Sequence, residues 1–402
     1  MRLPLVFALV ALAVNLAVDL YIFRRLRGHR LMSRIHAGLS IVLAALWTGI
    51  ICVPKRMGDD AFLLRLMWAI YAYWSAYIPK YVFIVADLAA SVPRLWHRRR
   101  LRWLSALGIA GGCAVFCLMW WGALVERFRI DVREVPVYVT DLPTDMEGLR
   151  IVQISDWHVG SYGQDAAYIR RCIDRINGLH PDVVVFTGDI VNRHSDELRP
   201  FVRDLAALRA PMGVYSVMGN HDYGDYFNWP DERAHRADAD SLRAMQRRMG
   251  WRILDNSTVM LRRGRDSIAL IGVENIGEPP FTTRGDLLRA YSTPSDSTTK
   301  VLLSHNPTHW TDSIAGHPDM NIALTLSGHT HAMQMRAGRF SPAAWRYPTW
   351  GGLYSDSTGH SLYVNIGLGT VGIPMRLGAT PEITVITLHD KKKHTITETR
   401  NF

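Results

Sequence analysis

The sequence predicts two unlike parts, namely four membrane-spanning helices followed by a mixed α/β domain. The first observation is hydropathy, because long apolar stretches are concentrated in residues 1–125. The second is periodicity: beyond residue 125, short β-rich runs alternate with helical patterns, which is typical of sheets covered by helices in an α/β sandwich. The third is a series of Asp, Asn and His residues, most of which directly follow a strand-like run.

Four apolar stretches are each long enough to cross the roughly 30 Å hydrocarbon core of a bilayer as a helix. They cover about residues 3–23, 35–53, 64–92 and 104–125. The first is predicted to be retained rather than cleaved as a signal peptide, because its n-region has only Arg2 and no A-x-A site lies directly before the following arginine cluster. In the third, the aromatic side chains from Trp68 to Tyr77 suit an interfacial belt.

Arginine-rich loops predict the topology, because Lys and Arg near helix ends stay on the cytoplasmic side. They follow the first and third stretches and contain Arg24, Arg25, Arg27, Arg30, Arg34, Arg94, Arg98, Arg99, Arg100 and Arg102. The loop between the second and third stretches has only Lys55 and Arg56. We therefore expect a multi-pass protein, of the bacterial inner-membrane type, whose second half is extracytoplasmic. A re-entrant pair in place of the third span would reverse this orientation.

Charge and cysteine content narrow the class of protein. Much of the net charge of +10 lies in the two arginine-rich loops, and the second half has one dense basic run, at residues 391–393. Nucleic acid is therefore not the expected partner. Only Cys172 of the four cysteines lies in the second half, so neither an internal disulfide nor a cysteine-rich zinc site is predicted there.

The polar residues between positions 156 and 331 form five short blocks. They are Asp156-x-His158, Gly188-Asp189, Gly219-Asn220-His221-Asp222, His305 and Gly328-His329-Thr330-His331. Most lie in loops at the ends of apolar strands, where a rigid sheet can position the side chains of a site. Any one block could be an ordinary turn. Together, their carboxylate, imidazole and amide groups suit a pair of divalent metals, which can clamp and hydrolyse a phosphate ester.

The five blocks, in this order, resemble those of the calcineurin-like metallophosphoesterase family over residues 149–389. The resemblance implies a double β-sandwich flanked by helices and a dinuclear centre of Mn, Fe or Zn. It divides the chain into a transmembrane domain, residues 1–125, a connector, residues 126–148, and a metallophosphoesterase domain, residues 149–402. The implied ligands are Asp156, His158 and His331 for one metal and Asn220, His305 and His329 for the other, with Asp189 bridging both.

The resemblance also implies roles in catalysis. A hydroxide between the metals would be the nucleophile, and His221 would stabilise the transition state or protonate the leaving oxygen, with Asp222 orienting its imidazole. The family block that ends with the last histidines often continues with Gly-Gly-Gln, whereas this chain has Ala332-Met333-Gln334. This departure predicts a bulkier surrounding of the ligands and a different pocket.

The sequence indicates substrate-contacting residues less specifically than metal ligands. Arg376 is either a phosphate contact or an exposed structural arginine. The segment at residues 339–354 is rich in aromatic residues, including Trp345 and Trp350, and is either a loop packed on its own domain or a lid that meets membrane lipids and admits a lipid-linked substrate.

The expected function is hydrolysis of a phosphodiester, pyrophosphate or phosphomonoester bond, with a lipid-linked or envelope substrate favoured by location. Membrane members of the family resemble enzymes that cleave the pyrophosphate of a nucleotide-linked acylated sugar. That substrate is cytoplasmic, and the charge pattern here predicts the opposite side. The alternative is a transport or sensory membrane module whose metal domain binds a phosphorylated ligand without turnover. The oligomeric state is not predicted.

Overall fold

The computed structural model describes residues 5–53, 59–278 and 282–393. Lys55 and Arg56, which enter the predicted topology, lie outside the described residues. The chain forms two compact units: Met1–Val125 together with Gly372–Met375, and Glu126–Val371 together with Arg376–Phe402.

The first unit is helical. Its helices are α1 (Leu5–Arg25), α2 (Arg30–Cys52), α3 (Asp60–Ser91) and α4 (Arg102–Leu124). All four are long and apolar enough to cross a membrane, in agreement with the four predicted spans. The third predicted span is one continuous helix of 32 residues, although Pro79 lies within it.

Glycines on α4 allow its backbone to approach α3 closely. A Cβ atom on Gly108 would lie 2.7 Å from Cβ of Ala86, and one on Gly112 would lie 2.9 Å from the Pro79 carbonyl oxygen. Gly108 and Gly112 are four residues apart and therefore lie on one face of the helix. Small residues at this spacing let helices pack backbone to backbone in a bilayer, where water provides no driving force.

Polar side chains within the spans contact one another. The Asp19 carboxylate lies 2.7 Å from Nζ of Lys80 and accepts a hydrogen bond of 2.7 Å from the Tyr77 hydroxyl. Asn15 donates to the Tyr73 hydroxyl at 2.5 Å. Tyr73 and Tyr77 are buried within the helical unit, so their rings pack among the helices. Burial with a partner lowers the penalty for a polar group at membrane depth.

The second unit contains two six-stranded sheets. The strands are β1 (Asp131–Val139), β2 (Arg150–Ile154), β3 (Val183–Phe186), β4 (Val214–Ser216), β5 (Arg252–Ile253), β6 (Ser257–Arg263), β7 (Asp266–Gly272), β8 (Lys300–Leu303), β9 (Ile322–Ser327), β10 (Gly352–Ser355), β11 (Ser361–Val364) and β12 (Glu382–Asp390). The first sheet has the order β1-β12-β2-β3-β4-β5 and the second has β10-β11-β9-β8-β7-β6. β1 lies within the predicted connector and pairs in parallel with β12.

Alternating apolar residues explain why the two sheets stack. Ile151 and Val183 of the first sheet pack with Leu270 and Leu303 of the second in one buried cluster. The opposite faces of the sheets are covered by helices: α5 (Ala167–Asn177), α6 (Val202–Leu205) and α7 (Glu232–Arg248) on the first, α8 (Leu287–Ala290) and α9 (Thr308–Ser313) on the second. The predicted fold class, four helices followed by a helix-flanked α/β double sandwich, is confirmed.

Candidate metal centre

The predicted ligands follow parallel strands of both sheets. β2, β3 and β4 are parallel neighbours in the first sheet, and β8 and β9 are parallel neighbours in the second. Because the carboxyl ends of parallel strands meet at one edge, the loops beyond them bring their side chains together. The seven predicted ligands all lie in these loops: Asp156, His158, Asp189, Asn220, His305, His329 and His331.

The first group of converging side chains is Asp156, His158 and His331. One ligand atom of each lies within 4.8 Å of the others. The Nε2 atoms of the two histidines are 3.0 Å apart, and Nε2 of His331 lies 3.3 Å from Oδ1 of Asp156. All three residues are buried, so this group is shielded from bulk water.

The second group combines Asp189, His305 and His329, again with one ligand atom of each within 4.8 Å of the others. Nε2 of His305 lies 3.2 Å from Oδ2 of Asp189. The Asn220 side chain joins this group, because its Oδ1 lies 3.1 Å from Nε2 of His305 and 2.9 Å from Nδ1 of His329.

Asp189 connects the two groups. Its Oδ2 atom lies 3.6 Å from Nε2 of His158 and 3.2 Å from Nε2 of His305. One carboxylate oxygen therefore faces an imidazole of each group. A carboxylate in such a position can neutralise charge on both sides.

The tautomers of two histidines test whether the site fits metal ions. His158 donates through Nδ1 to the Val191 carbonyl at 3.1 Å, and His305 donates through Nδ1 to the Thr187 carbonyl at 2.7 Å. In the neutral imidazole, Nε2 then carries a lone pair and no proton. These Nε2 atoms approach the Nε2 of His331 at 3.0 Å and the amide oxygen of Asn220 at 3.1 Å. In the metal-free protein a proton on one partner closes each contact; a divalent cation in its place would meet nitrogen and oxygen donors, so the donor set fits divalent metals.

Burial dominates the electrostatics of the histidines. It lowers the pKa of His158 to about 3 and that of His329 to about 3, so both imidazoles are neutral near pH 7. Burial also disfavours the charged form of His305, but the adjacent Asp189 carboxylate outweighs it and raises the pKa of His305 to about 9. In the metal-free protein, a proton on His305 thus compensates the charge of Asp189.

The two carboxylates respond differently to burial. Burial raises the pKa of Asp156 to about 7. It opposes ionisation of Asp189 as well, but His305 and His221 hold the pKa of Asp189 well below its usual range. A divalent cation beside Asp156 would favour its ionised form in the same way.

The ligand backbones adopt a conformation that L-residues avoid. Asp156, His158, Asp189, His329 and His331 have φ angles of 49°, 47°, 62°, 75° and 49°. Such left-handed residues cost of order 1–3 kcal/mol each and persist where the surroundings fix them, often at functional sites.

Glycine is required at two positions of the five sequence blocks, because a neighbouring carboxylate lies too close for a Cβ atom. A Cβ atom on Gly219 would lie 2.1 Å from Oδ1 of Asp189, and one on Gly328 would lie 2.3 Å from Oδ2 of Asp156. Any side chain at either position would therefore displace a carboxylate of the centre.

The contacts of His221 and Asp222 correct the predicted role of Asp222. Nδ1 of His221 lies 2.6 Å from the Asn192 carbonyl, which orients the imidazole. The Asp222 carboxylate instead accepts backbone N–H groups of Gly219, Asp189, Ile190 and Val191. Asp222 therefore organises the loops of two blocks, and the expectation that it orients His221 is wrong.

Arg376 also differs from its predicted role. It is fully buried, and its guanidinium donates to the carbonyls of Gly369, Ala379 and Ile366. Its Nη2 atom lies 3.3 Å from Nδ1 of His331. Arg376 is therefore neither an exposed arginine nor placed to contact a phosphate, and it supports the backbone around His331.

The two predicted tryptophans have different surroundings. Trp345 is 81% exposed and packs edge-on against Phe340, which is 53% exposed. Trp350 is half-buried and packs against Ala332 and Ile366. Trp345 is thus available to a partner, whereas Trp350 helps to hold its segment on the domain.

Tyr226 and Tyr347 lie at the site, and the sequence did not single them out. Asn220 donates through Nδ2 to the Tyr226 hydroxyl at 3.0 Å, and the Tyr347 hydroxyl lies 2.9 Å from Nε2 of His329. Tyr226 follows the Gly-Asn-His-Asp block by four residues, which could have drawn attention to it. Tyr347 is one of several aromatic residues in its segment, and its sequence position gives no such signal.

Comparison with known families identifies the chain. Residues 149–333 match the calcineurin-like phosphoesterase family, and residues 1–127 match a family described as the transmembrane domain of a probable calcineurin-like phosphoesterase. The chain belongs to the calcineurin-like phosphoesterase family, as the sequence blocks predicted, and it is a membrane protein. The family is metal-dependent, in agreement with the converging ligand groups.

Curated relatives are named as metallophosphoesterases or as a pyrophosphatase, and one name adds a transmembrane part. A "Transmembrane protein with metallophosphoesterase domain" of Danio rerio is 32% identical over 64% of this chain and 57% of its own length. The "Uncharacterized metallophosphoesterase YkuE" of Bacillus subtilis is 31% identical over 66% of this chain and 87% of its own. A "UDP-2,3-diacylglucosamine pyrophosphatase LpxG" of Chlamydia trachomatis is 28% identical over 56% of this chain and 79% of its own. The chain thus spans little more than half of the Danio rerio relative.

Proposed function

We propose that this protein is a membrane-anchored phosphohydrolase with a two-metal centre, and that it cleaves a phosphodiester, pyrophosphate or phosphomonoester bond. The position of the Asp189 carboxylate between the two histidine groups carries the proposal. In it, residues 1–125 are the membrane domain and residues 149–402 the catalytic domain. Asp156, His158 and His331 would hold one metal, Asn220, His305 and His329 the other, and the Asp189 carboxylate between the two groups would contribute to both.

The metals are proposed to be Mn, Fe or Zn, since mixed oxygen and nitrogen ligands suit all three. When bound, two such cations would polarise the phosphate oxygens and lower the pKa of a water molecule, so that a nucleophile is available near neutral pH. The neutral imidazoles of His158 and His329 keep their lone pairs available for this role.

His221 is proposed to serve the leaving oxygen. It is half-buried and lies with His158 and Asp189 in one group of converging side chains. Because the Asn192 carbonyl accepts from Nδ1, the proton that a charged His221 could transfer is the one on Nε2. Asp222 would act indirectly, through the backbone of the Asp189 and His221 loops.

A lipid-linked or envelope substrate is supported by two observations. The exposed Phe340–Trp345 pair belongs to a segment that is fixed beside the site, because Thr330 donates to the Trp350 carbonyl and Ser341 to the Ala332 carbonyl. Met333, two residues after the ligand His331, is also exposed. The name of the Chlamydia trachomatis relative describes an acylated sugar nucleotide as its substrate. An apolar surface of this kind suits acyl chains better than a free nucleotide.

An extracytoplasmic catalytic domain is supported by the arginine-rich loops. Most arginines near the spans lie at the connection of α1 and α2, from Arg24 to Arg34, and at the connection of α3 and α4, from Arg94 to Arg102. The single helix α3 favours four crossings over a re-entrant pair. With those loops in the cytoplasm, the second unit follows α4 on the outer side.

Metal analysis combined with hydrolysis assays tests the proposed chemistry. We expect two metals per purified chain and turnover of a diester or monoester in a panel of soluble esters. Asp189→Asn should lose at least one metal and nearly all turnover, whereas Asp240→Asn, whose side chain is 76% exposed, should keep both. Full activity of Asp189→Asn would refute the shared-ligand centre. Bound metal without hydrolysis would favour the sensory alternative.

The substrate class needs a separate comparison. We expect Phe340→Ala/Trp345→Ala to reduce turnover of a lipid phosphate in mixed micelles several-fold while turnover of a soluble ester is kept. Leu288→Ala removes another exposed apolar side chain, 64% exposed, and should change neither rate. Equal rates of the double variant and wild type on the lipid phosphate would exclude the aromatic pair from substrate binding.

A further inference from the structure

We propose that Tyr226 and Tyr347 are positioning residues of the second metal group, and that they determine which atoms of Asn220 and His329 face the metal. The inference rests on the proposed two-metal centre. Both hydroxyls contact the side of a ligand that points away from the other ligands.

Tyr226 fixes the orientation of the Asn220 amide. A metal requires the amide oxygen, yet oxygen and nitrogen occupy nearly equivalent positions in an amide group. The Tyr226 hydroxyl accepts from Nδ2 at 3.0 Å, while Oδ1 faces His305 and His329. With Nδ2 held by the hydroxyl, Oδ1 stays towards His305 and His329; a rotated amide would instead accept the hydroxyl proton and turn its N–H donors towards the metal position.

The ring of Tyr226 also contacts His221. The two rings are stacked, with centroids 4.0 Å apart and an angle of 8° between their planes. Tyr226 therefore contacts both Asn220, a proposed ligand, and the adjacent His221, the proposed acid. Removal of its hydroxyl alone would disturb the contact with Asn220 and leave the stacking intact.

Tyr347 contacts the ring nitrogen of His329 that faces away from the other ligands, and as an acceptor it supports one tautomer. Nδ1 of His329 lies 2.9 Å from the Asn220 oxygen and 3.2 Å from Nε2 of His305, on the side of the other ligands. Nε2 lies 2.9 Å from the Tyr347 hydroxyl. A proton on Nε2 that is donated to this hydroxyl leaves the Nδ1 lone pair free for the metal.

Among the remaining histidines of the two groups, His331 faces the Arg376 side chain, and the other two have backbone partners. His158 and His305 are held by the carbonyls of Val191 and Thr187, which no side-chain substitution removes. The tyrosine contacts, by contrast, can be removed by a Tyr→Phe substitution, which takes away only the hydroxyl. Tyr226 contacts Asn220 and Tyr347 contacts His329, and both of these ligands belong to the second metal group. Loss of either hydroxyl should therefore weaken the binding of one metal and leave the binding of the other unchanged.

The test uses the full chain in detergent, with Tyr226→Phe, Tyr347→Phe and the double variant. Tyr215→Phe is the matched control, because the Tyr215 hydroxyl donates to the Met212 carbonyl at 2.9 Å, within the second unit but among residues outside both ligand groups. Titration with Mn²⁺ or Zn²⁺ in chelator-buffered solution gives the dissociation constants and the number of bound ions. We expect one of the two ions to bind about 10- to 100-fold more weakly in each single variant, and no change in Tyr215→Phe.

Thermal unfolding separates positioning from a general loss of stability. For a positioning role, the variants should have wild-type Tm in excess chelator and a smaller rise of Tm when metal is added. Wild-type dissociation constants in the double variant, or a fall of Tm in chelator as large as the loss with metal, would overturn the inference. Absence of metal binding by the wild-type chain would overturn the proposed function and this inference together, whereas two tightly bound ions in wild type and in the double variant would overturn this inference alone.

Discussion

The carboxylate of Asp222 accepts the backbone N–H of Asp189 at 2.8 Å, so the loop of the proposed shared ligand is held by the block that carries His221. The same carboxylate accepts from three further backbone N–H groups, those of Ile190, Val191 and Gly219. Four donors on one buried carboxylate fix both loops and oppose the effect of burial and of Asp189, which together raise the pKa of Asp222 to about 7.

Asp222→Asn should therefore destabilise the fold. The amide nitrogen replaces one acceptor oxygen and leaves buried N–H groups unpaired, which costs about 1–3 kcal/mol for each group. We expect the free energy of unfolding of the metal-free chain, measured with denaturant and tryptophan fluorescence, to fall by roughly 3 kcal/mol. Asp240→Asn on the surface should stay within about 0.5 kcal/mol of wild type. Unchanged stability with lost activity would instead indicate a direct role for Asp222 in catalysis.

His309 makes the domain sensitive to acid. It is buried in α9, its Nδ1 lies 3.0 Å from the Ser304 hydroxyl, and burial lowers its pKa to about 4. Between about pH 6.5 and pH 4 the unfolded chain binds a proton that the folded chain does not, so stability falls as the pH is lowered through this range. The loss is roughly 3 kcal/mol, at 1.36 kcal/mol per pKa unit.

His309→Gln should remove most of this acid sensitivity. Denaturant unfolding in chelator at several pH values would compare the slopes of stability against pH. His180→Gln, at an exposed position, should retain the wild-type slope. Identical slopes in wild type and His309→Gln would contradict the assignment.

Met333 adopts a left-handed conformation that glycine would adopt without strain. Its φ is 45°, its neighbours Ala332 and Gln334 have φ of 52° and 58°, and its side chain is 42% exposed. We expect Met333→Gly to raise the free energy of unfolding by about 0.5–1 kcal/mol, because the left-handed conformation costs a non-glycine residue roughly 1–2 kcal/mol. Ala337→Gly, in the same segment at an exposed position without positive φ, should lower it. A lower stability of Met333→Gly would show that the methionine side chain contributes more than the strain.

Gly112 is expected to be essential for the packing of α3 against α4. An added Cβ would lie 2.9 Å from the Pro79 carbonyl oxygen, whereas one on Gly49 of α2 would have nothing within 4 Å. Gly112→Ala should lower the unfolding free energy of the helical unit by about 1–3 kcal/mol, as overpacking does, and Gly49→Ala should not. Resistance to denaturation in mixed detergent micelles measures the difference. Equal resistance of the two variants would contradict the close approach.

Much of the fold was predictable because its determinants are local. Apolar length predicted the four helices, and alternating β-rich runs predicted the strands that end beside Asp156 and Asp189. The convergence of the seven ligands followed from their places after parallel strands. Their metal-binding roles, by contrast, remain predictions until metal analysis is done.

The incorrect expectations concern contacts between distant segments. Whether Arg376 is exposed depends on three carbonyls that surround it in the folded chain, and its sequence neighbours do not reveal them. Asp222 follows His221 directly, yet its side chain contacts another loop. Tyr347 reaches His329 from a segment that the sequence marks only as aromatic. Side-chain direction at loop positions is set by such long-range contacts rather than by local pattern.

The division of ligands between the two sheets has a consequence for biosynthesis. Each proposed set takes members from the first sheet, through Asp156 or Asp189, and from the second, through His331 or His305. β12, which pairs between β1 and β2, is made after all of them. A nascent chain that has emerged only as far as β8 therefore has the first-sheet members Asp156, His158, Asp189 and Asn220, and none of His305, His329 and His331. Metal loading would come after the sandwich has closed, and a bound ion would then resist separation of the sheets.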